Sequence, residues 1–377
     1  MNHSLRILVL NLRDIRNPRA GGAERHLHEL FSRLAAGGHR VTLHCGGYRG
    51  AKRQETIDGI CIVRRGGRLT TAVASIGFYL GHRRDFDVIV DYTCQLHFLT
   101  PLYVRQPRVA MSMHLVGDIY RHDLPLGVGR LFAWWEAFSL RHYYRNERFV
   151  AISESTAAEL QHHGVAASQI RVIHCGRYEP APPTEVAKTE YPSIVYHGRL
   201  KRYKRVSWLL ESMPELRRAV PGVRLHIVGD GDQLKRLRRT ALRLNLDGSV
   251  VFHGWLADRQ RWQVVGSSWV NVQPSLKEGW GLTVLEAGQC GVPSIASNAC
   301  GLMDAVLPGQ TGELFEVTDR AEMVRHAISL LTNDALRKRM GKEAADWANS
   351  FAWEQASVEL EETLHTAVGA TVPATIR

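Results

Sequence analysis

The stretch "RYEPAPPTEVAKTEYP", from Arg177 to Pro192, divides the chain. It holds four of the fourteen prolines and shows no apolar periodicity. Proline fixes φ and removes a backbone donor, so such a run reads as a linker between elements. On both sides of it, apolar β-rich runs alternate with helical patterns. Upstream, "RILVLN" (Arg6–Asn11) reads as a buried strand, followed by a Gly-containing loop and an amphipathic helix in "AERHLHELFSRLAAGGH" that stops at Gly37-Gly38. "RVTLHC", "ICIVRR", "DVIVDYT", "RVAMSMH", "RFVAIS" and "RVIHCG" supply further strands. Downstream the rhythm restarts with "SIVYHGR", the helix "RVSWLLESMPELRRAV", "RLHIVGDG", the helix "QLKRLRRTALRLNL", "VVFHG" and "WVNVQPS". Such alternation implies parallel strands with helical crossovers. The expected architecture is α/β with two doubly wound domains: residues 1–178, a linker over 179–192, and residues 193–351. Two such domains in tandem create a cleft at the C-terminal edges of their sheets, where these folds bind ligands. The tail from Phe351 to Val368 reads as one amphipathic helix with Trp353 near its start.

Composition agrees with this division. A chain of 377 residues suits two domains of roughly 150–200 residues each. No run reaches the roughly 20 apolar residues that span a bilayer, and the N-terminus does not read as a signal peptide. Six cysteines without paired spacing favour free thiols in a reducing cytoplasm over a zinc site or a disulfide framework. The net charge of +11 is uneven: residues 1–180 carry 24 Lys and Arg against 15 Asp and Glu, the remainder 24 against 22. The first half is therefore expected either to be a plain basic surface or to meet an acidic partner. "LFAWWEAFSLRHYYRNERF" (Leu131–Phe149) puts Trp134, Trp135 and Phe138 near Arg141, Arg145 and Arg148, and a second basic group comprises Arg49, Lys52, Arg53, Arg64, Arg65 and Arg68. The aromatics read either as core of the first domain or as an interfacial helix at an anionic membrane.

Residues able to do chemistry gather in the second half. Arg199 and Lys204 lie in the loop "HGRLKRYK" that leads into a helix, where free N–H groups and the dipole favour anions. The pair suits a diphosphate; the competing reading is a solvated basic loop. "KEGWGLTVLEAGQCGVP" (Lys277–Pro293) reads as a glycine-rich loop followed by a helix, with Glu278 on the loop and Glu286 more than a turn inside the helix. Loop amides can face a phosphate while Glu286 accepts from a ribose diol and Glu278 from a sugar hydroxyl. The alternative reading of the two carboxylates is a general acid and base.

"HGRLKRYK", "PSLKEGWGLTVLEAGQCGVP", "GLMDAVLPGQTGELF", "GGAERHLHEL", "VAISEST" and "HIVGDGD" together resemble a retaining glycosyltransferase of family 4, in the group 1 set that includes glycogen-synthase-like and mannosyltransferase-like enzymes. The resemblance runs over almost the whole chain in the right order. It implies the GT-B fold: two Rossmann-like domains facing each other across a cleft, the first binding the acceptor and the second the nucleotide sugar, with a C-terminal helix (352–377) crossing back to the first domain. Carried over by position, Arg199 and Lys204 match the basic pair at the donor diphosphate, Glu286 the ribose-binding glutamate and Glu278 the one at the donor sugar. The backbone of Gly279, Trp280, Gly281 and Leu282 matches the turn facing diphosphate and sugar. Gly21 and Gly22 match a first-domain loop near the phosphate, and His114, at the end of "RVAMSMH", a histidine bordering the donor sugar. The chain departs from the family at "IHCGRYEP", where an Asn-Gly pair is usual, and at Cys300-Gly301-Leu302, where Gly-Gly is usual.

The resemblance implies transfer of a hexose or related sugar from a nucleotide diphosphate to an acceptor hydroxyl, with retention of anomeric configuration. It implies no cofactor and no metal, because side chains and a helix N-terminus meet the charge of the leaving diphosphate. Expected partners are the nucleotide-sugar donor and a glycosyl acceptor that is lipid-linked or phosphate-bearing, with peripheral contact to an anionic membrane. The expected location is cytoplasmic, at the inner face of the membrane. Two other readings stand beside it. A non-hydrolysing sugar-nucleotide epimerase shares the fold but needs acid/base groups at the sugar. A non-catalytic nucleic-acid-binding or anion-binding protein would account for the charge, although no nucleic-acid motif or basic arm is present.

Overall fold

A computed structural model describes residues 3–67, 70–93, 97–117, 119, 126–179, 182 and 186–369. Close packing divides the chain into two units. One takes residues up to 120, then 126–176 and the stretch from Ala352; the other takes Arg177–Phe351. Parts of the linker stretch, Arg68, Cys94 and the tail beyond residue 369 lie outside the described residues.

In the first unit the strands are β1 (Arg6–Leu10), β2 (Arg40–Cys45), β3 (Gln54–Ile57), β4 (Ile60–Arg64), β5 (Val88–Thr93), β6 (Arg108–Ser112), β7 (Arg148–Ala151) and β8 (Ile170–Val172). They form one sheet in the order β3-β4-β2-β1-β5-β6-β7-β8. Central strands such as β1 and β5 are buried along nearly their whole length, as expected where helices cover both faces. One edge breaks the expected parallel pattern: β3 pairs antiparallel with β4. Asp58 and Gly59 join them with φ of +45° and +81°, the left-handed backbone that two-residue hairpin turns require. Among the described residues, the helices of this unit are α1 (Gly22–Ala36), α2 (Thr71–His82), α3 (Leu126–Ser139) and α4 (Glu154–His162). A fifth, the C-terminal helix (Trp353–Val368), packs on α1. Trp353 is 1% exposed, with its ring 5.7 Å from that of His26. Ion pairs Arg33–Glu354 (3.1 Å) and Arg171–Glu362 (2.8 Å) hold the helix along its length.

The second unit has six strands: β9 (Ser193–His197), β10 (Arg224–Val228), β11 (Val250–Gly254), β12 (Val270–Gln273), β13 (Ser294–Ser297) and β14 (Gly312–Phe315). All pair in parallel, in the order β11-β10-β9-β12-β13-β14. Counted within the unit this is 3-2-1-4-5-6, the order of a Rossmann-like doubly wound domain, whose ligands lie beyond the carboxyl ends of the strands where the order reverses. That point falls between β9 and β12. Ile194, Leu225, Ile227, Val270 and Ile295 form the sheet's buried centre, covered by Leu209, Leu210 and Met213 of α5 (Val206–Ala219). The remaining helices are α6 (Leu234–Arg243), α7 (Asp258–Ser267), α8 (Leu282–Gln289), the single turn α9 (Leu302–Ala305), α10 (Arg320–Thr332) and α11 (Asp334–Asn349).

Candidate active site

Two loops leave the sheet at its switch point. The first follows β9 and carries Gly198 to Arg205 into α5. The second follows β12 and carries Pro274 to Gly281 into α8. The Leu276 N–H donates to the Tyr203 carbonyl (2.8 Å), tying the loops together. The basic residues of the first loop have separate tasks. Arg205 is structural, its guanidinium donating to the carbonyls of Pro274 (2.8 Å) and Val317 (2.5 Å). Lys201 pairs with Asp232 at the surface. Arg199 is exposed, with no carboxylate partner among the described residues; the Tyr196 hydroxyl donates to its carbonyl (3.0 Å). Lys204 is only 9% exposed and pairs with Glu278 from the second loop.

Glu278 is fixed through its backbone as well. Its N–H donates to the Cys300 carbonyl (3.0 Å). Gly301 has φ +79°, and a Cβ there would lie 2.6 Å from the Glu278 carbonyl oxygen. Glycine is thus required at 301 by both backbone and space, while position 300 accepts a cysteine. Of the predicted turn, Gly281 caps α8 and Leu282 begins it. The Trp280 side chain is buried, edge-on to the Phe351 ring at 5.2 Å. A role for residues 279–282 toward a ligand therefore falls to their backbone.

Each carboxylate is balanced by positive charge. Burial works against the Lys204 ammonium, yet Glu278 and Tyr203 beside it leave its pKa above the ordinary lysine value. Glu286, on α8, accepts at Oε2 from His197 Nε2 (3.2 Å) and from the Arg261 guanidinium (2.9 Å). A carboxylate only accepts, so the His197 proton sits on Nε2. Burial would raise the Glu286 carboxyl, but the His197 N–H and the Arg261 charge outweigh it and hold its pKa below the usual range. Glu286 Oε1 accepts no hydrogen bond among the described residues, and the side chain keeps 11% exposure. Arg261, on α7, is in turn held over the rings of Tyr178 (4.8 Å) and Trp262 (4.4 Å). Neither His197 nor Arg261 figures in the sequence reading. His197 stands inside "YHGR", but nothing in its spacing announces a partner 89 residues away.

The structure therefore brings Arg199, Lys204, Glu278, Gly279–Leu282 and Glu286 together at one end of the second sheet. Gly21, Gly22 and His114 belong to the first unit. Gly21 precedes α1, and its N–H donates to Glu24 Oε2 (2.7 Å), while Arg13 donates to Glu24 Oε1 (2.8 Å). In the loop that the resemblance places near the phosphate, the Gly21 N–H is thus engaged by a carboxylate. His114 is half-buried, two residues beyond the end of β6 and not on the strand itself. Among the described residues, one cluster, His39, Glu361 and His365, has metal-ligand spacing. His39 Nδ1 accepts from the Leu5 N–H (3.1 Å), so its proton lies on Nε2, which faces Glu361 Oε1 at 3.3 Å. That arrangement is a hydrogen-bonded clasp between the C-terminal helix and the loop after α1, and it leaves no His39 lone pair for an ion.

Comparison with known proteins gives the family and the fold. Residues 20–178 match the family model described as Glycosyltransferase Family 4, and residues 179–347 the model described as Glycosyl transferases group 1. The chain belongs to the group 1 glycosyltransferases of family 4. It is 26% identical over 376 residues to a GDP-mannose-dependent alpha-(1-6)-phosphatidylinositol monomannoside mannosyltransferase of Mycolicibacterium smegmatis, covering 92% of this chain and 95% of that protein. It is 28% identical over 251 residues to a lipopolysaccharide 1,6-galactosyltransferase of Salmonella typhimurium, covering 60% of this chain and 67% of that protein. Among solved structures, the fold is similar to sucrose-phosphate synthase from Thermosynechococcus elongatus, with a TM-score of 0.81 at 20% identity over 97% of this chain and 100% of that one. It is also similar to HepE of Anabaena in complex with UDP-glucose, with a TM-score of 0.75 at 19% identity over 96% and 100%. The fold is thus GT-B, and the protein is a glycosyltransferase that uses a sugar-nucleotide donor and a glycosyl acceptor.

Proposed function

We propose that the enzyme transfers a hexose to an acceptor hydroxyl with retention of anomeric configuration and without a metal ion. The observation that carries this reading is the paired neutralisation at the switch point: Lys204 with Glu278, and Glu286 with Arg261 and His197. Departure of a nucleoside diphosphate builds negative charge on its phosphates. Arg199 and Lys204 meet that charge, and preorganised groups of this kind often supply the largest catalytic contribution. Glu278 keeps the buried Lys204 protonated before the donor arrives and orients the sugar once it is bound. Glu286 offers its unengaged Oε1 to the ribose diol while Arg261 and His197 fix its other oxygen. The acceptor attacks on the face that the diphosphate leaves, and the departing phosphate takes its proton. The acceptor is a lipid-linked or phosphate-bearing glycoconjugate; two of the relatives are named for phosphatidylinositol monomannoside and lipopolysaccharide substrates.

The test incubates the purified protein with radiolabelled nucleotide sugars, with and without candidate acceptors. Product configuration is read by NMR, and a parallel reaction contains EDTA. The expected outcome is acceptor-dependent transfer with the anomeric configuration of the donor, undiminished by EDTA. Inverted product overturns retention. Loss of activity on chelation, restored by Mg²⁺ or Mn²⁺, overturns metal independence, and epimerisation of the donor alone overturns the transferase reading.

A further inference from the structure

Helix α3 (Leu126–Ser139), continued by a π turn over Leu140–Tyr144, is inside out. Its inward face carries Glu136, which accepts from the N–H groups of Val116 (2.9 Å) and Gly117 (2.6 Å), and then Leu140 and Tyr144, both fully buried. Its outward face carries Val128 (43% exposed), Leu131 (61%), Phe132 (39%) and Trp134 (57%). Trp134 stacks on Phe138 (5.1 Å), so the aromatics form one continuous surface. Burial of Trp134, as a core reading of this segment would have it, does not occur. A helix whose carboxylate points in and whose tryptophan points out has an outer face made for something other than water.

The rim of that face is cationic. Arg130, Arg141 and Arg145 are exposed, and none has a carboxylate partner among the described residues. On a wheel of 100° per residue, Arg130 lies on the flank of the apolar stripe next to Trp134, while Arg141 lies in the π turn and Arg145 just beyond it. Aromatic side chains beside free arginines are the composition of a segment lying in a charged lipid interface. A second copy of the chain fits less well, because a two-fold contact through this face would set the arginine rim against itself. Arg64, grouped by sequence with the basic surface, takes no part: it is buried and paired with Asp14 (2.7 Å) and Glu55 (2.6 Å).

We infer that the outer face of α3 docks the protein on an anionic phospholipid surface, Leu131, Phe132 and Trp134 entering the headgroup boundary and Arg130, Arg141 and Arg145 meeting lipid phosphates. The inference rests on the lipid-bearing acceptor proposed above only for its purpose; the contact needs neither donor nor acceptor. The experiment therefore uses the full chain and vesicles free of glycosyl acceptor, either phosphatidylcholine alone or equal parts phosphatidylcholine and phosphatidylglycerol. Co-sedimentation should occur with the anionic vesicles, fall with added salt and be negligible with neutral ones. Replacing all three arginines with Gln should lower partitioning on the order of 100-fold, from about a fivefold loss for each charge. Leu131→Ser with Trp134→Ser should lower it about tenfold. Brominated lipid should quench the wild-type fluorescence more than that of Trp134→Phe, a reading that does not depend on the multiple variants. Equal binding by wild type and both variants, or equal quenching of Trp134→Phe, overturns the assignment. So does a concentration-dependent dimer that Leu131→Ser abolishes, which would make the face a contact between copies. Transfer to a water-soluble acceptor is measured separately, so the docking and the transferase reading fail independently.

Discussion

Lys204 lies nine-tenths buried, and burial on its own lowers a lysine pKa because the ammonium loses water that apolar neighbours do not replace. Glu278 reverses that balance. Below its raised pKa Lys204 is charged, and removing Glu278 takes away the larger of the two neighbours that hold the pKa up, Tyr203 being the other. Glu278→Gln should therefore shift the alkaline limb of the kcat/KM profile to lower pH, a displacement that loss of a sugar contact alone does not give. Lys204→Ala and Arg199→Ala should each cut turnover by on the order of 10²–10³, the scale for losing one preorganised charge-stabilising donor. Glu286→Ala should act chiefly on nucleoside diphosphate affinity, read by titration calorimetry. If Glu286→Ala spared affinity and Glu278→Gln abolished it, the roles of the two carboxylates would have to be exchanged.

At the scale of elements, β5 is buried at every position, and that includes a carboxylate. Asp91 is 1% exposed and accepts from Thr100 (2.8 Å) and from the Tyr144 hydroxyl. Burial pushes its pKa up to about 6, against the two hydroxyl donors. The folded state thus holds a proton that the unfolded chain releases near pH 4, so stability falls as pH rises through about 4 to 6. Asp91→Asn keeps an acceptor for both hydroxyls and removes the charge. It should flatten this dependence in thermal melts; an unchanged slope would remove Asp91 as its source. Strands of this kind were readable because burial on both faces demands unbroken apolar runs. β3 was not: at the sheet edge only Ile57 is buried, and "QETI" gives no apolar signal. β13 and β14, four residues each, sit inside a stretch whose motif reading hid their strand character. The loop carboxylates and basic residues were visible as residues, whereas the pairings Lys204–Glu278 and Arg261–Glu286 exist only once the sheet sets its loops side by side.

For the whole molecule, the charge asymmetry between halves and the division near Arg177 were legible because both are properties of long stretches. That the C-terminal helix belongs to the first unit was legible through family likeness alone; its amphipathic pattern does not name the surface it covers. Trp353 gives this membership energetic weight. Trp353→Ala should destabilise by about 3–5 kcal/mol, the range for deleting a buried aromatic. In denaturant unfolding of the full chain, the loss should fall on the transition of the first unit, with the second unchanged; an equal shift of both would mean that the units unfold as one.

The same connectivity sets an order of assembly. Domains generally fold during synthesis from the N-terminal end. Here, however, residues 353–368 complete a unit whose first strand is at Arg6, and all of Arg177–Phe351 is made in between. While the ribosome translates the second unit, α1 waits with the surface that will receive Trp353 uncovered. The unit begun first is the one finished last.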